Sequence, residues 1–128
     1  AETAVFGPRE EARRCVRAAE ALMLAREDAR ADRLLRVARE RYTSAGALEP
    51  ALTVGLKLGD RAWVRGEVAA ALSAFDEVRA EARLAERPAM ELAALRRLLA
   101  LAALRGDPRA VFRLYDEIAT RLVALPPE

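Results

Sequence analysis

The sequence predicts an all-α fold built from helical hairpins, on three observations. Ala, Leu, Arg and Glu dominate the 128 residues and are strong helix formers, whereas aromatic residues make up only 5%. Apolar residues recur at spacings of three and four, as on one face of a helix. Arg26, Gly66 and Gly106 each close one apolar run just before the next begins, and they are evenly spaced, since 66 − 26 and 106 − 66 both equal 40. We therefore predict a repeat protein of six helices in three hairpins.

The first hairpin is predicted from the residues that start and end its helices. Pro8 opens the first helix, because proline is best tolerated in the first turn, and the apolar stripe of that helix ends near Arg26. Asp28 is the expected N-cap of the second helix. Gly46, a residue suited to a left-handed C-cap, is expected to close it.

The second and third hairpins repeat this pattern. Pro50 is expected to open the third helix, and the fourth follows Gly66 and runs to about residue 86. Pro88 opens the fifth helix. The sixth helix begins at Gly106-Asp107-Pro108, which supplies in order a C-cap glycine, an N-cap aspartate and a proline at the first helical position.

The second repeat resembles the tetratricopeptide repeat. Leu58-Gly59 in its first helix matches the Leu-Gly pair of that signature, and Ala71 and Phe75 match its Ala-x3-Phe pair. Gly55 and Ala62 depart from it, because the signature has Trp and Tyr there. The resemblance implies an αα-superhelix of three hairpins. Its parts are an N-terminal extension (1–7), three repeat units (about 8–46, 47–86 and 87–125) and a linker or tail (126–128).

The repeat length narrows the resemblance further. Units of about 40 residues are longer than the common repeat of about 34. Such units resemble those of bacterial transcription regulators, both the maltose-activator type and the domain that accompanies bacterial transcriptional activators. The resemblance implies a module that binds a protein or peptide, or that oligomerises. The cytoplasm is the expected location, because Cys15 is the only cysteine and an oxidising compartment is not indicated. A stand-alone scaffold or assembly adaptor is the alternative, and direct binding of nucleic acid is a third hypothesis.

In tetratricopeptide arrays the first helix of each hairpin lines a concave binding face. Carried onto this chain, that resemblance implies nine lining residues: Arg13, Val16, Glu20, Met23, Thr53, Leu56, Asp60, Trp63 and Arg96. Trp63 is a candidate anchor for a partner, because an aromatic ring with a polar group is a common interface hot spot. The favoured interpretation, however, is that Trp63 packs in the core between hairpins.

The sixth helix carries more apolar residues than one face can hold. We expect the stripe of Val111, Tyr115, Ile118 and Leu122 to pack against the fifth helix. The remaining apolar residues are predicted to form a second, outward surface that contacts another copy, another domain or a partner protein: Phe112, Leu114 and Val123.

Catalytic and metal chemistry are not predicted. The chain has no histidine, and its one cysteine, Cys15, lies in an apolar stripe without a basic partner. No glycine-rich phosphate loop is present. We therefore expect a protein that is not an enzyme, with no cofactor and no metal site.

The charge distribution disfavours nucleic acid and membrane partners. The 22 basic and 20 acidic residues leave a net charge of +2, and the arginines of the second helix interleave with acidic residues. No apolar run is long enough to span a bilayer. A protein or peptide is therefore the expected partner.

Overall fold

Six α-helices of 17 residues each make up most of the chain. The computed structural model describes residues 7–125, so the rest of the predicted extension and the predicted tail at 126–128 lie outside it. No strand occurs within the described range, which confirms the all-α class and the six predicted helices. The helices are α1 (Pro8–Leu24), α2 (Asp28–Ser44), α3 (Leu48–Val64), α4 (Val68–Leu84), α5 (Pro88–Leu104) and α6 (Pro108–Ala124).

Five three-residue turns of one design join the helices. The middle residue of each has a positive φ, between 57° and 78°: Arg26, Gly46, Gly66, Glu86 and Gly106. In the first turn the amide of Glu27 donates to the carbonyl of Leu22 at 2.8 Å, and the amide of Arg26 donates to the carbonyl of Met23 at 3.0 Å. The other four turns repeat this pair of bonds, which is the Schellman closure of a helix. The helices therefore start at even intervals along the chain, and each interval is half the predicted period.

This turn sets the first residue of the next helix and corrects two predicted starts. Asp28 is the first residue of α2 and not its N-cap, because Glu27, which ends the Schellman turn, already holds the N-cap position. Pro50 lies inside the first turn of α3, which begins at Leu48. The predicted starts of α1, α5 and α6 are confirmed, and Asp107 caps α6 by accepting a hydrogen bond from the amide of Ala110 at 3.2 Å.

The chain folds as two compact units, divided inside α3 between Leu58 and Gly59. In the first unit α1 packs against α2, and in the second α5 packs against both α4 and α6. This division does not follow the predicted repeat boundaries near residues 46 and 86. The right-handed superhelix and its three repeat units stay predictions.

Small residues dominate the core of the first unit. Ala12 and Ala19 of α1 cluster with Ala31 and Ala38 of α2, and all four are fully buried. Alanines at a helix crossing let the two backbones approach closely, because the interaxial distance depends on the side chains between them. The remaining members of this cluster are Leu35, Tyr42, Ala47, Ala51 and Val54.

A glycine and an aromatic ring shape the core of the second unit. Phe75 of α4 is fully buried, and a Cβ atom placed on Gly59 of α3 would lie only 2.7 Å from its Cδ1 atom. The guanidinium carbon of Arg97 on α5 lies 5.9 Å from the centroid of the Phe75 ring, within the range of a cation–π contact. The residues that suggested the tetratricopeptide resemblance, Gly59 and Phe75, therefore pack directly against each other.

Candidate functional site

A shallow groove lies between α1 and α3 in the first unit. Its volume is about 290 Å³. Val16 of α1 forms one wall, and the other comes from the N-terminal half of α3. The complete lining is Val16, Tyr42, Glu49, Pro50, Thr53, Val54 and Lys57. The structure thus brings together two of the predicted binding residues, Val16 and Thr53. We call this feature the α1/α3 groove.

The local sequence explains why the groove is mostly apolar. Pro50 has no amide hydrogen, and its place in the first turn of α3 costs no helical hydrogen bond. The hydroxyl of Thr53 donates to the carbonyl of Glu49 at 3.0 Å, so its hydrogen is already used inside the helix. Val16 is half-buried, while Val54 is 4% exposed at the base. A ligand would therefore meet apolar walls with charged groups only at the rim.

An ion pair closes one side of this groove. Nζ of Lys57 lies 3.5 Å from Oε2 of Glu20, and both side chains are about half exposed. The second unit holds an equivalent pair at the matching positions of the next hairpin, in which Arg97 donates to both carboxylate oxygens of Asp60 at 2.8 and 3.1 Å. Glu20 and Asp60 were both predicted to bind a partner. Glu20 is instead paired with Lys57 of α3, and Asp60 with Arg97 of α5.

One predicted lining residue is buried and two others have structural roles. Leu56 is only 7% exposed, belongs to the core and is not among the residues that line the α1/α3 groove. Met23 packs half-buried against the core cluster of the first unit. Arg13 is exposed and pairs with Glu10 of its own helix at 3.1 Å.

The remaining predicted lining residues belong to the second unit. Trp63 is half-buried and Arg96 is exposed. Trp63 is thus neither fully buried nor freely exposed, and its predicted role as an anchor stays a prediction.

Helix α6 presents an apolar surface to solvent that agrees only in part with the predicted one. Phe112 and Val123 are 75% and 87% exposed, as expected. Leu114 is 7% exposed and packs in the core, so its predicted outward position is wrong. Tyr115 and Leu122, which were expected against α5, are instead 66% and 49% exposed.

The packing of α6 on α5 explains this exchange of faces. Ala110 and Leu114 are the buried residues of α6, and Glu117 and Arg121 continue the same side of the helix. Arg121 reaches Glu91 on α5, with Nη2 and Nε at 3.1 and 3.3 Å from Oε1. The core-facing side of α6 is therefore partly charged, and its most apolar side remains uncovered.

Glu91 is a buried carboxylate whose second oxygen has no protein partner. The residue is 1% exposed, and Oε2 accepts no hydrogen bond. The residues at the same position of the three preceding helices, Ala31, Ala51 and Ala71, are fully buried alanines. This ion pair with Arg121 was not predicted, because Glu91 follows Pro88 in a first turn where glutamate is common on exposed surfaces.

A second groove lies in the second unit between α4 and α6, with Leu98 and Ala102 of α5 among its lining residues, and has a volume of about 340 Å³. Its rim is charged. Arg79 at this rim is already paired, with Asp76 at 2.7 Å and with Glu117 at 3.7 Å. Opposite charges are thus largely matched within the groove itself.

Neither metal nor membrane features were found in the part of the chain that the structure describes. Within residues 7–125 no cluster of three or more His, Cys, Asp or Glu side chains could hold a metal ion. No described helix combines the length and apolar character needed to cross a bilayer.

The fold and its turns define the class as an all-α protein of repeated helices joined by identical Schellman turns. Comparison with protein-family models, curated proteins and solved structures gave no match for this chain. Its function is therefore argued from its own surfaces.

Proposed function

We propose that this protein is a protein- or peptide-binding module and that the α1/α3 groove receives the partner. The observation that supports this proposal is the groove itself, an apolar hollow between α1 and α3 that no side chain of the first unit fills. Its two apolar walls and its rim are held by rigid helices. Such a site needs little reorganisation on binding, and this favours affinity.

The size and charge of the groove favour a side chain of a peptide over a small cofactor. A volume of about 290 Å³ lies at the lower limit of small-molecule sites, which are also more enclosed. It suits one or two apolar side chains. Glu49 and Lys57 carry opposite charges on α3, so a peptide with a basic and an acidic residue around its apolar anchor would be matched at the rim.

The proposed setting is a bacterial transcription regulator in the cytoplasm. Its support is the resemblance of the long two-helix repeat to arrays in such regulators. A stand-alone scaffold or assembly adaptor is the alternative. The two are distinguished by the complete gene, because a winged-helix or helix-turn-helix segment in the same polypeptide would support the regulator.

Direct binding of nucleic acid is the third proposal and the weakest. Several arginines of the first unit form ion pairs with acidic residues, as Arg41 does with Glu11 at 3.2 Å. A titration of duplex DNA at low and high salt tests this class, because affinity that rests on phosphate contacts falls steeply with salt.

A matched pair of threonines provides the test of the groove. Thr53 lines the groove, whereas Thr43 on α2 does not, although both are exposed and both donate a hydrogen bond to the carbonyl one helical turn earlier, at 3.0 and 2.9 Å. Peptides would be selected from a random dodecapeptide phage library on the unmodified protein, and their affinities measured by fluorescence polarisation.

We expect Thr53→Arg to weaken the selected peptides at least about tenfold, which corresponds to the loss of one hot-spot contact. Thr43→Arg should leave the affinity unchanged, and both variants should unfold at the wild-type temperature. Failure to enrich any peptide, or peptides that bind Thr53→Arg as tightly as the parent, would contradict the proposal.

A further inference from the structure

The apolar stripe of α6, half-buried at Val111 and Ile118 and exposed at Tyr115 and Leu122, matches a stripe that is buried in α2 and α4. Val111, Tyr115, Ile118 and Leu122 hold the positions that Ala71, Phe75, Val78 and Ala82 hold on α4, one hairpin earlier, and those four α4 residues are fully buried. The corresponding residues of α2, Ala31, Leu35, Ala38 and Tyr42, are buried as well. Among the described residues of the second unit, α6 packs on α5 and reaches α4 through the ion pair of Arg79 and Glu117, and Tyr115 and Leu122 of the stripe remain exposed.

Two neighbouring residues widen this uncovered surface. Phe112 and Val123 lie beside the stripe and are 75% and 87% exposed. With roughly 150–250 Å² for a buried aromatic side chain, Phe112 and Tyr115 alone expose roughly 300 Å². The whole α6 surface, defined as the four stripe residues with Phe112 and Val123, exposes on the order of 500 Å², the size of the largest apolar patch on a typical chain, which is often functional.

Helix α1 cannot cover this surface in a head-to-tail array. Positions 51 and 54 on α3 and 91 and 94 on α5 are all buried, whereas the corresponding α1 residues, Glu11 and Arg14, are exposed and charged. Glu11 pairs with Arg41 at 3.2 Å. An apolar stripe set against this face would bury those charges, which is strongly unfavourable. This charged face of α1 therefore differs from the apolar surface of α6.

We propose that two copies of the chain associate through α6, packed antiparallel about a two-fold axis. The stripe residues are separated by four, three and four positions, the spacing of a coiled-coil seam. That order reads the same in both directions. A second copy turned by the two-fold axis therefore aligns all four layers, with Val111 opposite Leu122 and Tyr115 opposite Ile118.

A hollow at one end of α6 supplies a second complementary feature. It has a volume of about 460 Å³, lies at the turn between α5 and α6 and is lined by Ala103, Gly106, Asp107, Pro108, Val111 and Phe112. In the antiparallel pair this end of α6 meets the C-terminal end of the other copy. The hollow then receives Val123 of the second copy, which is otherwise exposed.

The buried area predicts a reversible dimer. Stable complexes bury about 800 Å² on each partner, and the α6 surface offers on the order of 500 Å². We therefore expect a dissociation constant in the micromolar range or weaker. This pairing does not depend on the α1/α3 groove, so a monomeric variant should still bind the selected peptides.

Sedimentation equilibrium of the full chain up to about 1 mM tests the pairing, since weak complexes need such concentrations. The unmodified protein should approach the mass of a dimer, and Tyr115→Glu and Phe112→Glu should sediment as monomers at every concentration. Thr120→Glu, an exposed change on the polar side of α6, is the matched control and should still dimerise. Monomeric behaviour of the unmodified protein would overturn the proposal.

Disulfide trapping tests the antiparallel register even if a glutamate variant unfolds. In a Cys15→Ser background, Val111→Cys combined with Leu122→Cys should give a covalent dimer on oxidation, because the two positions are opposite each other in the pair. Val111→Cys alone should remain a monomer. Equal cross-linking of the single and double variants would indicate a parallel pair and overturn the proposed geometry, and no cross-linking of the double variant would overturn the pairing.

Discussion

The ring of Phe75 occupies the space that a side chain on Gly59 would need. A Cβ atom on Gly59 would lie 2.7 and 2.9 Å from Cδ1 and Cζ of Phe75, distances that real Cβ contacts do not reach. Phe75 is fully buried and cannot swing aside without opening the core. This contact fixes the approach of α3 and α4 within the second unit.

Gly59→Ala should therefore destabilise the protein, although alanine is the better helix former. Overpacking of this kind costs about 1–3 kcal/mol, and the gain in helix propensity returns only about 1 kcal/mol. Urea unfolding would measure the difference. In a Phe75→Leu background the same substitution should be neutral or stabilising, because the ring that it meets is gone. An equal loss of stability in both backgrounds would show that contact with the Phe75 ring is not the reason why Gly59→Ala is destabilising.

Two of the five turns place a residue with a side chain where the others place glycine. Arg26 and Glu86 have φ values of 62° and 57°. A left-handed conformation costs a residue with a Cβ about 1–2 kcal/mol, whereas glycine adopts it without this cost. Part of this advantage is offset, because glycine loses more conformational entropy on folding. We expect Arg26→Gly and Glu86→Gly each to raise the free energy of unfolding by about 0.5–1 kcal/mol, as measured by urea unfolding.

The opposite substitution is the control for these turns. A Cβ atom on Gly66 would meet nothing within 4 Å, so Gly66→Ala changes only the backbone preference. It should lower the free energy of unfolding by about 1 kcal/mol. If both glycine variants have a lower free energy of unfolding, the side chains of Arg26 and Glu86 stabilise the fold by more than their left-handed backbone destabilises it.

The ion pair of Glu91 and Arg121 should respond differently to loss of either member. Arg121→Ala leaves a buried carboxylate without its partner, which costs about 3 kcal/mol or more. Glu91→Leu removes the buried charge and leaves an arginine that can reach water, so its cost should be under about 1 kcal/mol. Thermal unfolding of both variants would check this order. A larger loss for Glu91→Leu than for Arg121→Ala would mean that the ion pair stabilises the fold.

Local patterns sufficed to predict the six helices, because most of them start or end in residues with strong backbone preferences, such as Pro8, Pro88 and Gly106. Gly46, Gly66 and Gly106 identified three turns. The same turn at Arg26 and Glu86 is closed by backbone hydrogen bonds alone, and no residue type reports that. The sequence therefore predicted a repeat of two helices, whereas the structural repeat is a single helix with its turn.

Which face of a helix is covered was harder to predict. Apolar residues on α6 outnumber those that one face can hold, and periodicity alone does not say which side meets α5. The answer depends on Glu91, a residue of another helix, which draws Arg121 and the Leu114 side of α6 inward. In the α1/α3 groove Val16 and Thr53 were predicted, but Pro50 was missed because it was interpreted as the start of a helix.

Methyl NMR of the valines tests the account most directly, because these residues report separately on the two proposed surfaces. Val16 and Val54 line the α1/α3 groove, and Val111 and Val123 belong to the α6 surface. Titration of a selected peptide into valine-labelled Tyr115→Glu protein should shift the methyl signals of Val16 and Val54 and leave those of Val111 and Val123 in place. Peptide-induced shifts confined to Val111 and Val123, with Val16 and Val54 unmoved, would contradict a binding site in the groove.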